Sequence, residues 1–176
     1  SDNAMTEKAE NSPLNSKQIK LMRSATYASV ALALTLISLK IWAWSMTDSV
    51  AILSSLVDSL LDLIASIITF YAVRVAVSPA DAEHRFGHGK SEGVSGLLQG
   101  FIITISTLYV ASEAVIRLLE PKPISEPEVG LGVMSISLAL TVLLVGFQRF
   151  VVARTGSLAI SADAMHYKAD LLTNLA

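Results

Sequence analysis

The chain has 176 residues, of which 52% are hydrophobic and only 16% charged; it has no cysteine and a formal net charge of −2. A soluble domain carries about 25% charged residues, so this composition excludes an ordinary soluble domain. The absence of cysteine excludes a disulfide scaffold and thiolate metal or redox chemistry, and the net charge excludes a strongly basic nucleic-acid binder. Any metal site must be built from His, Asp, Glu or backbone oxygen.

Residues 1–24 are polar, lack the apolar stretch of a signal peptide and read as a mobile cytoplasmic tail, with Met5 a candidate natural start. Residues 25–176 hold five apolar blocks, at about 25–46, 49–77, 93–116, 129–153 and 157–176. Helices of about 20 residues, rising about 1.5 Å per residue, cross a hydrocarbon core of about 30 Å. The expected fold class is all-α: a polytopic transmembrane helical bundle with no soluble domain. The fifth block is still running at Ala176, so it reads as a span cut short, and the chain as the N-terminal part of a longer protein.

Orientation follows from Lys and Arg in alternate connections. The tail (Lys8, Lys17, Lys20, Arg23), the second connection (Arg74, Arg85, Lys90) and the fourth (Arg149, Arg154) carry the positive charge, against only Arg117 and Lys122 in the other two. The positive-inside rule then puts the N-terminus in the cytoplasm, and Trp42 and Trp44 at the outer end of the first span. The segment EPKPISEPE, with three prolines, is an outer loop.

Ionisable side chains in a hydrocarbon core cost at least about 2.5 kcal/mol each on insertion scales, so they need a reason. Asp58 and Asp62 are four apart in the second span, on one helix face and about 6 Å from each other; carboxylates at that spacing repel unless a cation lies between them. In the fifth span His166 and Asp170 are again four apart, and Asp163 lies on the same stripe one turn earlier, a weaker candidate because it is closer to the cytoplasmic mouth. Asp58 lies roughly 15 Å inside the outer end of its span and His166 roughly 13.5 Å inside the inner end of its own, at helical rise. Both pairs therefore reach the bilayer midplane. Three carboxylates and one imidazole at one depth suit a four-coordinate divalent cation such as Zn²⁺. A single Asp or His in a span more often locks helices together; two pairs at matching depth argue for metal. Lys40, near the outer third of the first span, can snorkel or pair with a carboxylate and is assigned no transport role. Lys168 and Glu113 read as interfacial or helix-pairing residues.

The inner connection SPADAEHRFGHGKSEG holds a second cluster, Asp81, His84 and His88, with Glu83 beside them. His-x-x-x-His with an upstream Asp supplies three ligands within eight residues. Arg85 and Lys90 weaken it as a cation trap, so moderate affinity is expected. The bland alternative is a polar loop with two incidental histidines.

Taken together, Asp58-x-x-x-Asp62, His166-x-x-x-Asp170 and the HRFGHGK loop resemble the cation diffusion facilitator family, in particular its bacterial zinc and ferrous-iron efflux branch. The resemblance covers nearly the whole chain after the tail. It implies an inner-membrane homodimer of six-span protomers with a cytoplasmic metal-binding domain, exchanging a divalent cation for protons. By the same resemblance Asp58, Asp62, His166 and Asp170 form the transport site, and Asp81, His84 and His88 a loop site. Proton coupling would run through Asp62, His166 and Asp170. The expected cargo is Zn²⁺, with Fe²⁺, Cd²⁺ or Mn²⁺ open, since an all-oxygen pair in the second span fits the less selective bacterial branch. The function expected is therefore a cation/proton antiporter working by alternating access, with the bilayer and a second copy as partners. The alternative is a non-transporting membrane metal sensor or scaffold whose buried acids lock helices. A metalloenzyme ranks last, because no HExxH or nucleophile motif accompanies the acids.

Overall fold

The computed structural model describes residues 15–78, 90–120 and 127–175, and among them the only regular structure is helix. Five helices follow one another: α1 Ser16–Thr47, α2 Val50–Ala76, α3 Lys90–Leu119, α4 Pro127–Thr155 and α5 Leu158–Leu175. The first four are long and apolar enough to cross a membrane. Helix α5 is shorter, and carries Asp163, Lys168 and Asp170 within its 18 residues.

Local chemistry sets the helix ends. Helix α1 starts well before the apolar block at residue 25 because Asn15 forms a capping box with Gln18, whose Oε1 accepts from the Asn15 backbone at 2.8 Å. It stops where Asp48 turns left-handed, φ 49°, with its N–H on the Trp44 carbonyl; Asp tolerates that conformation better than most residues. Helix α4 begins on Pro127, whose missing N–H costs nothing in a first turn. It ends at Gly156, φ 66°, where a side chain would be strained.

The helices close into a ring. Helix α1 packs on α2 and α4, α2 on α3, α3 on α5 and α5 on α4; α5 also meets α2 directly. Small residues allow these close approaches: Ala25, Ser29 and Ala33, successive turns of α1, are all completely or almost completely buried, as are Ala65, Ser66 and Thr69 on α2. Polarity is distributed inside out. Leu34, Ile64, Leu97, Phe101, Leu143 and Met165 are exposed, whereas Ser29, Gln99, Gln148, Asp163 and His166 are fully buried. A water-soluble bundle would reverse this; a lipid-facing one requires it.

Three apolar clusters brace the ring at three levels. Met22, Ala72, Val73, Val151 and Ile160 fill one end. Leu32, Leu36, Leu144 and Tyr167 fill the middle, and Ala43, Ile52 and Val133 the other end.

Candidate metal centre

The direct contact of α2 with α5 places three ionisable side chains around one point. His166 Nε2 lies 3.0 Å from Asp62 Oδ1 on the neighbouring helix and 3.4 Å from Asp170 Oδ2 one turn further along its own. One ligand atom from each of Asp62, His166 and Asp170 falls within 4.8 Å of the others. All three residues are buried, His166 completely. His166 Nδ1 and Asp170 Oδ2 have no hydrogen-bond partner. A buried carboxylate oxygen without a hydrogen-bond donor costs free energy, and a divalent cation held between Asp62, His166 Nε2 and Asp170 is a ligand that Asp170 Oδ2 could take.

Asp58, the fourth expected ligand, stands apart from this trio. It faces α3, where Ser106 Oγ donates to its Oδ1 at 2.7 Å. It nevertheless lines the same cavity as Asp62 and Asp170, a space of about 190 Å³ between α1, α2, α4 and α5. A second cavity, of about 510 Å³, runs from Ser49 and Pro127 at one end of the bundle to Asp58, past Tyr109 and Glu113. The two share Lys40, Ser55, Asp58, Leu131 and Met134. Asp58 therefore lines both cavities, of which the smaller also reaches Asp62 and Asp170.

Helix α5 is held in register by side chains from its neighbours. The Glu92 carboxylate of α3 accepts from Ser157 Oγ at 2.7 Å and from the Leu158 N–H at 2.9 Å, capping the positive end of the α5 dipole. Tyr167 Oη bonds Ser66 Oγ on α2 at 2.8 Å and donates to the Ser29 carbonyl on α1. Each contact fixes the helix that presents His166 and Asp170.

Asp163, the weaker candidate, belongs to a separate network. Its Oδ2 accepts from Ser29 Oγ of α1 at 2.8 Å and Gln148 Nε2 of α4 at 2.6 Å, and its Oδ1 from Gln99 Nε2 of α3 at 3.4 Å. Gln99 also donates to Thr69 Oγ1 and the Ala65 carbonyl of α2. The carboxylate ties α5 to α1, α3 and α4 and, through Gln99, to α2, and its lone pairs are spent on donors rather than facing the trio.

Lys40 is buried, and its Nζ donates to Ser59 Oγ at 2.6 Å and the Ser55 carbonyl at 3.0 Å, both on α2. Neither role the sequence offered describes this orientation: the side chain turns inward rather than snorkelling, and its two hydrogen-bond acceptors are neutral oxygens rather than a carboxylate. Glu113 accepts from Ser54 Oγ across α2 and α3, in keeping with helix pairing. Lys168 lines a shallow depression between α4 and α5 with Arg149. The loop cluster Asp81, His84 and His88 lies outside the described residues. Sequence reasoning missed Ser29, Gln99, Gln148 and Ser106; the signal available was an amide inside each of the third and fourth apolar blocks, near the inner end.

Residues 26–176 match the family model of the cation efflux transmembrane domain. The chain belongs to the cation diffusion facilitator family. Among relatives in this family, it is 45% identical over 161 residues to the cation-efflux pump FieF of Pectobacterium carotovorum subsp. carotovorum, and 44% identical over 161 residues to that of Salmonella arizonae. Each match covers 92% of this chain and 54% of the relative. The chain therefore spans about half the length of the curated relatives it matches. For this member of the family, a multi-pass membrane bundle is the architecture that family, composition and inside-out packing all require.

Proposed function

We propose that the chain forms the cation-conducting half of a divalent metal efflux transporter, with Zn²⁺ as the principal cargo and Fe²⁺, Cd²⁺ or Mn²⁺ as further substrates, exchanged for protons. The observation that carries this reading is the convergence of Asp62, His166 and Asp170 from two helices on one buried point, with Asp58 lining the adjoining cavity. A cation that displaces the Nε2 proton between Asp62 and Asp170 is bound by one nitrogen and two oxygens, and Asp58 completes four-coordination on rotating away from Ser106. Zn²⁺ accepts that donor set.

In the efflux direction the cation enters from the cytoplasm and leaves through the cavity that ends at Ser49 and Pro127, which faces outward when the N-terminus is cytoplasmic. Protons arriving from outside occupy the carboxylates and His166 and displace it, because ligands bind metal only when deprotonated. Alternating access exposes the site to one side at a time, in a homodimer in the bacterial inner membrane. The Asp81, His84 and His88 loop binds a further ion on the cytoplasmic side.

The scaffold reading fits Asp163, whose oxygens are all engaged by donors from other helices. It fits Asp170 less well, because its buried Oδ2 accepts no hydrogen bond and has only the His166 ring nitrogen, 3.4 Å away, beside it. The experiment is zinc flux into proteoliposomes containing a pH-sensitive dye. Zinc uptake with opposing proton movement supports antiport; assembled protein that binds zinc but moves none would favour a sensor.

A further inference from the structure

Lys40 is a cation in a place that the transport reading leaves unexplained. An ammonium group has three donors and no acceptor, and a lysine inside a bilayer core normally extends to the interface to keep its charge hydrated. Lys40 does the opposite: it is only 8% exposed and reaches across to α2. Its two acceptors, Ser55 and Ser59, alternate with Asp58 and Asp62 on one face of that helix, where residues three and four apart are neighbours. Lys40 also lines both cavities that meet at Asp58. Its charge is thus buried within the electrostatic reach of the metal site while bonded only to neutral oxygens.

We infer that Lys40 is the fixed counter-charge of the site, setting its ionised ligands to the charge that one divalent cation neutralises. With Asp58, Asp62 and Asp170 ionised and His166 neutral, the ligands alone carry three negative charges. Lys40 reduces the sum to two, so a bound divalent ion leaves no net charge in a medium where unpaired charge is most costly. Without Lys40 the loaded site keeps one negative charge and attracts the metal more strongly. The residue therefore weakens binding and hastens release, which a transporter needs and a storage site does not. Its neutral anchors keep it from occupying the carboxylates itself. This inference rests on the transport-site reading above and concerns the charge balance of that same site.

The test is isothermal titration with Zn²⁺ on the purified full-length protein in a His84→Ala, His88→Ala background, read on the zinc equivalent that Asp62→Ala removes, so that neither the loop nor a cytoplasmic metal-binding domain contributes. Lys40→Met should tighten zinc binding about tenfold or more, by removal of a nearby like charge in a medium of low effective dielectric, and slow zinc flux. Lys40→Arg, which retains the charge, should stay within about threefold of the parent by the same reasoning. Lys40→Gln, which retains a donor for Ser59 but no charge, should follow Lys40→Met. Asp62→Ala is the control for the site: if it removes no zinc equivalent, the site reading itself falls. If Asp62→Ala removes that equivalent but both neutral Lys40 variants bind it like the parent, only the counter-charge falls. Failure of both neutral variants to fold would also overturn it, by making the lysine's role one of assembly.

Discussion

His166 Nε2 and Asp62 Oδ1 meet at 3.0 Å across the contact of α5 with α2, although 104 residues separate them in the chain. Neither helix completes the site. Asp62 lies with Asp58 on a face built for α1 and α3 as well, and His166 needs α5 held by Glu92 and Tyr167 before it can reach Asp62. The chemistry depends on the packing of the bundle rather than on any one motif.

Replacing Asp62 or His166 by Ala in the full-length protein should abolish zinc transport while expression and dimerisation stay close to those of the parent. Loss of an outer partner of a metal ligand costs about 10–100-fold in affinity or activity, and loss of a ligand itself should cost at least that. Flux measured in proteoliposomes decides it. Transport within a factor of about two of the parent for both variants, far less than the loss expected of a ligand, would remove these residues from the path.

Asp163 should behave differently. Asp163→Ala removes the acceptor shared by Ser29, Gln148 and Gln99; Ser29 keeps the Ala25 carbonyl and Gln148 keeps Ser29 Oγ, but a buried donor that loses its acceptor costs about 1–3 kcal/mol. Lower thermal stability and poorer assembly in detergent are the expected outcome, with Asp163→Asn milder because its shape and one oxygen are kept. A stable Asp163→Ala protein that had selectively lost zinc binding would instead make Asp163 a ligand.

The pattern of apolar blocks made the helices legible, since 20-residue apolar runs have one common solution in a membrane. The i,i+4 spacing put Asp58 with Asp62 and His166 with Asp170, and matched depth suggested that the two pairs meet. Spacing along a helix says nothing of which neighbour a side chain faces, however. Thus Asp58 turns to Ser106 on α3, and Asp163, on the His166 stripe, is engaged by glutamines from two other helices. Lys40 could not be assigned from its depth, because snorkelling and inward burial differ only in side-chain direction, which tertiary packing decides. Helix α1 also extends into the polar tail, since capping at Asn15 rather than hydropathy sets its start.

Substituting His84 and His88 together by Ala should remove one bound zinc, or weaken it, without eliminating flux, because the loop cluster lies outside the membrane path. Equilibrium dialysis gives the stoichiometry and the proteoliposome assay the flux. A loss of flux equal to that of Asp62→Ala would place the loop in the path.

The central claim is that metal and protons compete for Asp58, Asp62, His166 and Asp170. Protons added to any of these side chains remove a ligand, so zinc affinity must fall as pH falls. A free imidazole titrates near about 6.5, which makes pH 7 to pH 5.5, roughly the window around that value, the range to examine. The decisive measurement is isothermal titration of zinc into the full-length His84→Ala, His88→Ala protein across this range, in buffers of different ionisation enthalpy so that released protons are counted, with the same titration of its Asp62→Ala variant subtracted to isolate the membrane site. Affinity that drops steeply toward the acid end, with protons released on binding, is the predicted result; flat affinity with no proton release would contradict the exchange mechanism.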